Sequence, residues 1–145
     1  SLSGLVEYLE KLHDHHFPKE TDLDSSIKHK KSFELIADHE EELSELLINY
    51  LKTKNDIRII GNPTSDKSQR VPTISFVHDS LKSSAIVEKI DPYGIGIRFG
   101  DFYAKKIIQD LDLTKKDGVV RVSLVHYNTL EEVNALINAF EKVLP

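Results

Sequence analysis

The sequence contains no cysteine, no methionine and no tryptophan among its 145 residues. Without cysteine, the chain can form no disulfide framework, thiolate-bound zinc site or iron–sulfur cluster, and it has no thiol nucleophile. The chain begins with Ser1, and since translation starts at methionine we expect it to be processed or cut from a longer protein. Its length suits one domain that buries about two-thirds of the surface of the unfolded chain.

Charge and hydropathy exclude further classes. Acidic side chains outnumber basic ones by 24 to 19, which leaves a net charge of −5. This balance argues against general nucleic-acid binding, because phosphate contacts need a surplus of Lys and Arg. No apolar run approaches the roughly 20 residues of a transmembrane helix. The N-terminus lacks the basic segment followed by a continuous apolar stretch that marks a signal peptide. We therefore expect a cytoplasmic protein.

Hydrophobic spacing predicts helices at 2–12, 28–54, 80–90, 102–111 and 130–144, and strands at 57–60, 71–78, 95–99 and 119–125. The polar segment 13–26 is predicted to be a loop. Thr129 and Glu132 have the spacing of a capping box at the start of the last helix. This order of elements predicts an α+β fold, a small and mostly antiparallel sheet with helices on one face.

Alternation along the strands sorts their side chains onto the two faces of the sheet. One face is expected to lie under the helices and carries only apolar residues: Ile74, Phe76, Ile95, Ile97, Phe99, Val120, Val122 and Leu124. The other face carries Thr73, Ser75, Gly94, Gly96, Arg98, Gly100, Val119, Arg121, Ser123 and Val125. We expect this second face to meet a ligand or another domain, and not to form a second core.

Arg121 is the strongest candidate for a functional residue. It lies in the apolar run Val119-Val120-Arg121-Val122, where a guanidinium is costly unless it has a partner. Its planar fork suits bidentate capture of a carboxylate. A structural ion pair with one of the chain's own acidic side chains explains the residue equally well. Arg98 projects from the same face, which alternate glycines leave clear.

Two polar clusters are weaker candidates. The cluster His13-Asp14-His15-His16 contains residue types that bind metals, but it offers no closed set of three or four ligands. We interpret it as a polar loop and predict no metal site. The run Lys28-His29-Lys30-Lys31 is interpreted as exposed surface charge.

Two motifs stand out, GIGIRFGDFYA at 94–104 and VVRVSLVHYNTLEE at 119–132. With the strand VPTISFVH and the ending VNALINAFEKVL, they resemble the C-terminal region of the class V aminotransferases. Those are pyridoxal-phosphate (PLP) enzymes of fold type I, and they include the cysteine desulfurases and selenocysteine lyases. The likeness is strongest to the cysteine-desulfurase-like subfamily and covers nearly the whole chain.

The resemblance implies two domains with different roles. In the family, a large N-terminal domain binds PLP through a Schiff-base lysine, and the small C-terminal domain closes over an amino-acid substrate. Residues 1–27 are then a remnant of the segment that leaves the cofactor domain, and 28–145 form the small domain with its leading interdomain helix. The fragment alone is expected to be inactive. Its expected partners are its own cofactor domain, the amino-acid substrate and, for the parent enzyme, a second copy in a homodimer.

The resemblance also implies roles for three residues. Arg121 occupies the position that grips the substrate α-carboxylate, and Arg98 precedes the active-site loop. Tyr103 stands where true desulfurases carry the cysteine that accepts sulfur, which puts sulfur transfer by that route in doubt. No residue here is expected to bind PLP, because the S-x-H-K echo at 26–30 has shifted spacing and lies in the wrong part of the chain. A stand-alone α+β binding or regulatory domain without catalysis remains the alternative.

Overall fold

The computed structural model describes residues 2–20 and 22–144. The chain divides into two compact units, Ser1–His39 and Glu40–Pro145. The helices are α1 Leu2–His16, α2 Ser25–Lys52, α3 Ser83–Ile90, α4 Lys105–Asp110 and α5 Leu130–Val143. The strands are β1 Ile57–Ile60, β2 Thr73–His78, β3 Arg98–Gly100 and β4 Val119–Ser123. None of the described helices is long and apolar enough to cross a membrane.

The first unit contains α1 and the beginning of α2. The predicted loop at 13–26 is too long, because α1 continues to His16 and α2 begins at Ser25. The physical reason is that the polar His13 side chain is fully buried, and its ring lies 5.1 Å from that of Phe17. Its Nδ1 lies 3.0 Å from Oδ1 of Asp14, which also accepts a 2.8 Å hydrogen bond from Nζ of Lys28. The hydrogen bond from Lys28 is the main cause that lowers the pKa of Asp14.

The second unit is built on a four-stranded sheet of order β1-β2-β4-β3, in which all neighbours are antiparallel. The predicted α+β fold is therefore confirmed. The apolar face of the sheet, the second half of α2, α3 and α5 bury one core, whose largest fully buried side chains are Phe76, Phe140, Leu43, Leu47, Ile48, Leu51, Ile74, Ile86 and Ile90. The rows of alternating apolar residues direct this packing, because each strand buries one face.

The opposite face of the sheet is not wholly polar. At one end Val77 and Val119 are buried with Ile108 and Leu113, and Phe102 packs against this group. We call these five residues the small cluster. The expectation that this face forms no core is therefore wrong at that end. Strand alternation could not reveal it, because Ile108 and Leu113 lie outside the strands.

Strand β3 is shorter than predicted and begins at Arg98 instead of residue 95. Ile97 donates its backbone N–H to the carbonyl of Ile95 at 3.2 Å, so this stretch turns locally and does not pair with β4. Ile97 is nevertheless buried in the main core. Phe99 remains 42% exposed although it faces the helices, since β3 is an edge strand.

The predicted capping box of α5 is confirmed. Thr129 Oγ1 accepts from the backbone N–H of Glu132 at 3.2 Å, and Glu132 Oε2 accepts from that of Thr129 at 3.0 Å. Bonds from the Asn128 side chain and the Thr129 N–H lower the pKa of Glu132. The cap therefore satisfies two backbone donors of the helix terminus.

Replacing Thr129 with alanine should lower the free energy of unfolding by about 1 kcal/mol, because the N–H of Glu132 loses its acceptor. Urea denaturation of the two proteins measures the difference. Thr129→Ser retains the hydroxyl and serves as the control, with a stability close to that of the parent sequence. A Ser variant as unstable as the Ala variant would contradict the capping role.

Candidate functional site

A row of polar side chains crosses three strands on the face opposite the main core. Arg121 of β4 lies opposite Ser75 of β2 on one side and opposite Arg98 of β3 on the other. Arg121 is half-buried and Arg98 is exposed. The structure therefore brings the two arginines of the sequence prediction together as direct cross-strand neighbours.

This pairing of two cations is electrostatically unfavourable by itself. Like charges directly opposite each other on an antiparallel pair destabilise the sheet. Among the described residues, no carboxylate forms an ion pair with either guanidinium. The structural ion pair considered for Arg121 is therefore not formed within the described chain. Two adjacent guanidinium groups without an acidic partner make a site that suits an anion.

Arg121 has instead an aromatic partner. Its guanidinium carbon lies 3.7 Å from the centre of the Phe102 ring, which is the geometry of a cation–π contact. Arg98 donates from Nη1 to the carbonyl of Ile97 at 2.7 Å. Sequence reasoning missed Phe102, since its only signal was an aromatic residue two positions after the glycine that ends β3.

The loop that carries Phe102 is tightly turned. Asp101 accepts two bonds from within it, at Oδ1 from the N–H of Tyr103 at 3.1 Å and at its carbonyl from Ala104 at 2.8 Å. Phe102 and Tyr103 have φ angles of 49° and 65°, in the left-handed region that non-glycine residues rarely adopt. The Tyr103 side chain is completely exposed. The loop therefore presents Tyr103 outward and turns Phe102 towards the sheet.

Two glycines allow the strands beside this loop to approach each other. Gly118 has φ 80°, and a Cβ at this position would lie 2.2 Å from the carbonyl oxygen of Gly100. Ser83 Oγ donates to the carbonyl of Gly118 at 3.1 Å, and the Gly118 N–H donates to the carbonyl of Leu113 at 3.1 Å. The backbone at the start of β4 is thus held from two sides, next to the end of β3 from which the loop departs.

The other residues considered from the sequence have structural roles or lie apart from the arginines. Asn128 accepts from the N–H of Val125 at 2.9 Å and donates to Glu132 at 3.0 Å, so it closes the turn before α5. Tyr127 is exposed, and its ring meets that of His126 edge-on. Among the described residues, no group of three or more His, Cys, Asp or Glu side chains could hold a metal ion.

A cavity beside the main core is separate from the arginine row. It has a volume of about 270 Å³ and opens between residues 94–97, the end of β4 and α5. Its walls combine side chains of the main core, such as Val122 and Leu136, with polar residues, and neither Arg98 nor Arg121 lines it. The arginine row therefore does not belong to this cavity.

Comparison with known protein families finds one matching model, described as aminotransferase class-V, over residues 23–136. The aminotransferase-like protein FGM3 of Gibberella zeae is 44% identical over 116 residues, which cover 79% of this chain and 29% of that protein. The cysteine desulfurase-like protein ustD of Aspergillus flavus is 31% identical over 83% of this chain and 28% of that protein. The chain thus spans less than a third of these relatives.

Solved structures show the same fold. The apo cysteine desulfurase of Thermococcus onnurineus superimposes with a TM-score of 0.69 at 21% identity, covering 83% of this chain and 28% of that one. The cysteine desulfurase CsdA of Escherichia coli superimposes with a TM-score of 0.63 at 23% identity, covering 85% and 27%.

Proposed function

This chain belongs to the class-V aminotransferase family, and we propose that it forms the small domain that closes over an amino-acid substrate in a longer PLP-dependent enzyme. The observation that carries the proposal is the half-buried Arg121, which has a second guanidinium beside it and no acidic partner among the described residues. A planar guanidinium without a partner is the group that captures a carboxylate in two parallel hydrogen bonds.

The side chains of this face fit the substrate better than the cofactor. None of the four strands contains a lysine, and the face offers guanidinium, hydroxyl and aromatic groups. Lys30, the lysine of the S-x-H-K echo at 26–30, is exposed and lies 4.0 Å from a carboxylate oxygen of Glu34. We therefore assign the PLP site to the part of the enzyme outside this chain. PLP, when bound there, withdraws electrons from the amino acid.

Tyr103 bears on the class of reaction. It occupies the position at which the resemblance places the sulfur-accepting cysteine, and its phenol is fully exposed at the tip of the loop. Because the chain has no cysteine, sulfur cannot be transferred to a thiol within these 145 residues. The proposal is therefore a cysteine-desulfurase-like enzyme that acts on an amino acid without forming a persulfide on this chain. Tyr103 and Arg98 lie beside the substrate in this proposal.

The domain organisation is proposed on the same basis. Residues 1–27 correspond to the segment that leaves the cofactor domain, and residues 28–145 to the small domain with its leading helix. The long α2, which runs from Ser25 to Lys52, suits a connecting helix. The partners are the enzyme's own cofactor domain and a second copy of the enzyme. We expect the 145-residue chain alone to be inactive.

The proposal predicts that Arg121→Ala in the full-length enzyme raises KM for its amino-acid substrate by roughly 10- to 100-fold, the value of hydrogen bonds to a charged group. Steady-state kinetics on whichever L-amino acid of a panel is turned over fastest measures this effect. Arg58→Ala is the matched control, since Arg58 is an exposed arginine on β1, on the same face of the sheet. An Arg121 variant with the kinetics of the control would refute the role of Arg121.

The coding sequence upstream of Ser1 offers a second test. A large α/β segment with a histidine-lysine cofactor motif is expected there. A short leader directly before Ser1 would instead favour a stand-alone binding domain.

A further inference from the structure

We infer that Phe102 is a positioning residue, which holds the Arg121 guanidinium over its ring so that the N–H groups stay free for a substrate carboxylate. The inference rests on the proposed function of Arg121. It starts from the 3.7 Å separation between the guanidinium carbon and the ring centre. At this distance the ring shields one face of the guanidinium from water and leaves the N–H groups, which lie in its plane, unoccupied.

An aromatic partner suits this task better than an acidic one. A half-buried guanidinium needs some compensation for its lost hydration. An aspartate or glutamate would supply it by occupying the fork, and the substrate carboxylate would then have to displace that side chain. The Phe102 ring instead compensates for the lost hydration by contacting the face of the guanidinium. Arg121 therefore stays ordered, with its N–H groups available to bind an anion.

Phe102 also opposes the repulsion between the two arginines. Arg98 lies directly across from Arg121, and the only hydrogen bond of its guanidinium within the described chain goes to the carbonyl of Ile97. Without a contact on its own side, the Arg121 side chain would be free to swing away from this second positive charge. The ring attracts the guanidinium and thereby keeps both cations on one surface.

The ring is anchored by packing and held in a strained backbone. Phe102 packs against the other residues of the small cluster, among them Val119, which lies two residues before Arg121 on the same face. Its φ of 49° is followed by 65° at Tyr103, and such pairs of non-glycine residues persist only where the surroundings impose them. The same tight turn therefore directs Tyr103 outward and places Phe102 against Arg121.

The experiment compares a carboxylate-bearing and a carboxylate-free probe on the full-length enzyme. L-alanine and ethylamine are titrated separately, and the absorbance change of the bound cofactor reports each dissociation constant. Phe102→Leu keeps the apolar contacts with the small cluster and removes the ring. It should weaken L-alanine binding about three- to ten-fold and leave ethylamine binding unchanged, since only L-alanine uses Arg121. Phe102→Tyr, which keeps the ring, should bind L-alanine as the parent does.

A second measurement needs neither the cofactor nor activity. In the 145-residue chain, the Nε–Hε resonance of Arg121 should lie upfield of the other arginine resonances, because the ring current of Phe102 acts on it. The Leu variant should lose this shift and the Tyr variant should keep it. An Arg121 resonance without an upfield shift would overturn the inference.

The outcomes separate the inference from the proposed function. Arg121→Ala with unchanged L-alanine binding overturns the proposed carboxylate role and the inference with it. If Arg121→Ala weakens L-alanine binding and Phe102→Leu does not, only the role of Phe102 is overturned. Equal weakening of both probes by Phe102→Leu, or a Tyr variant as impaired as the Leu variant, assigns Phe102 a merely structural role and also overturns the inference.

Discussion

Replacing Gly118 with alanine is expected to lower the free energy of unfolding by roughly 3–5 kcal/mol, the sum of backbone strain and steric overlap. The added methyl group would lie 2.2 Å from the carbonyl oxygen and 2.4 Å from the carbonyl carbon of Gly100. Both contacts are with backbone, so no side chain can rotate away. The bonds to Ser83 and Leu113 hold Gly118 in place and oppose a compensating shift.

Gly94→Ala is the matched control for Gly118. Gly94 has φ 72°, close to the 80° of Gly118, but nothing lies within 4 Å of an added Cβ. The Gly94 variant therefore bears only the cost of the left-handed conformation, about 1 kcal/mol. Urea denaturation with a common m-value gives both free energies. Equal losses in the two variants would show that the close approach to Gly100 is relieved at little cost.

The consequence reaches the site as well as the stability. The close approach occurs where β3 ends and the loop 101–104 begins, and the loop carries both Phe102 and Tyr103. A variant that separates Gly118 from Gly100 should therefore also disturb the stacking of Phe102 on Arg121. The Arg121 Nε–Hε resonance would move downfield in Gly118→Ala and stay in place in Gly94→Ala.

Phe140→Ala should likewise lower the free energy of unfolding by about 3–5 kcal/mol, because it leaves a cavity that the core cannot refill. The Phe140 side chain is fully buried on α5. Its ring lies edge-on to Phe76 at 5.6 Å and parallel to Tyr50 at 6.3 Å. The Phe140 ring therefore joins α5 to β2 and α2, and its removal deprives both partner rings of contacts.

Phe33→Ala is the control for this change. Phe33 also lies within a helix, but its side chain is 57% exposed. Its replacement should alter the free energy of unfolding by less than about 0.5 kcal/mol. Chemical denaturation of both variants provides the comparison. A Phe140 variant as stable as the Phe33 variant would mean that the aromatic group around Phe140 contributes little to the core.

Local sequence patterns sufficed for much of this molecule. The alternation along β2 and β4 placed Arg121 on the face opposite the main core, and the register confirms that Arg98 shares it. The spacing of Thr129 and Glu132 predicted a capping box that is present. These features depend on residues near one another in the chain, where the period of a strand or a helix decides which side chains share a face.

Other predictions failed at the ends of helices and strands. Residue polarity predicts a loop at His13, but its side chain is buried beside Phe17 and bound to Asp14, and α1 continues to His16. Alternation predicts a strand at Ile95, but the chain turns at that point and β3 begins three residues later. In both cases the pattern of residue types did not locate the boundary of the element.

The sequence by itself determined the α+β fold, the family, and an arginine in an apolar strand that has to find a partner. The tertiary structure alone decided what that partner is. Phe102 and Arg121 are 19 positions apart, and only the return of β4 beside β3 brings the ring beneath the guanidinium. Contacts of this kind depend on how the chain closes on itself, and no local period in the sequence specifies them.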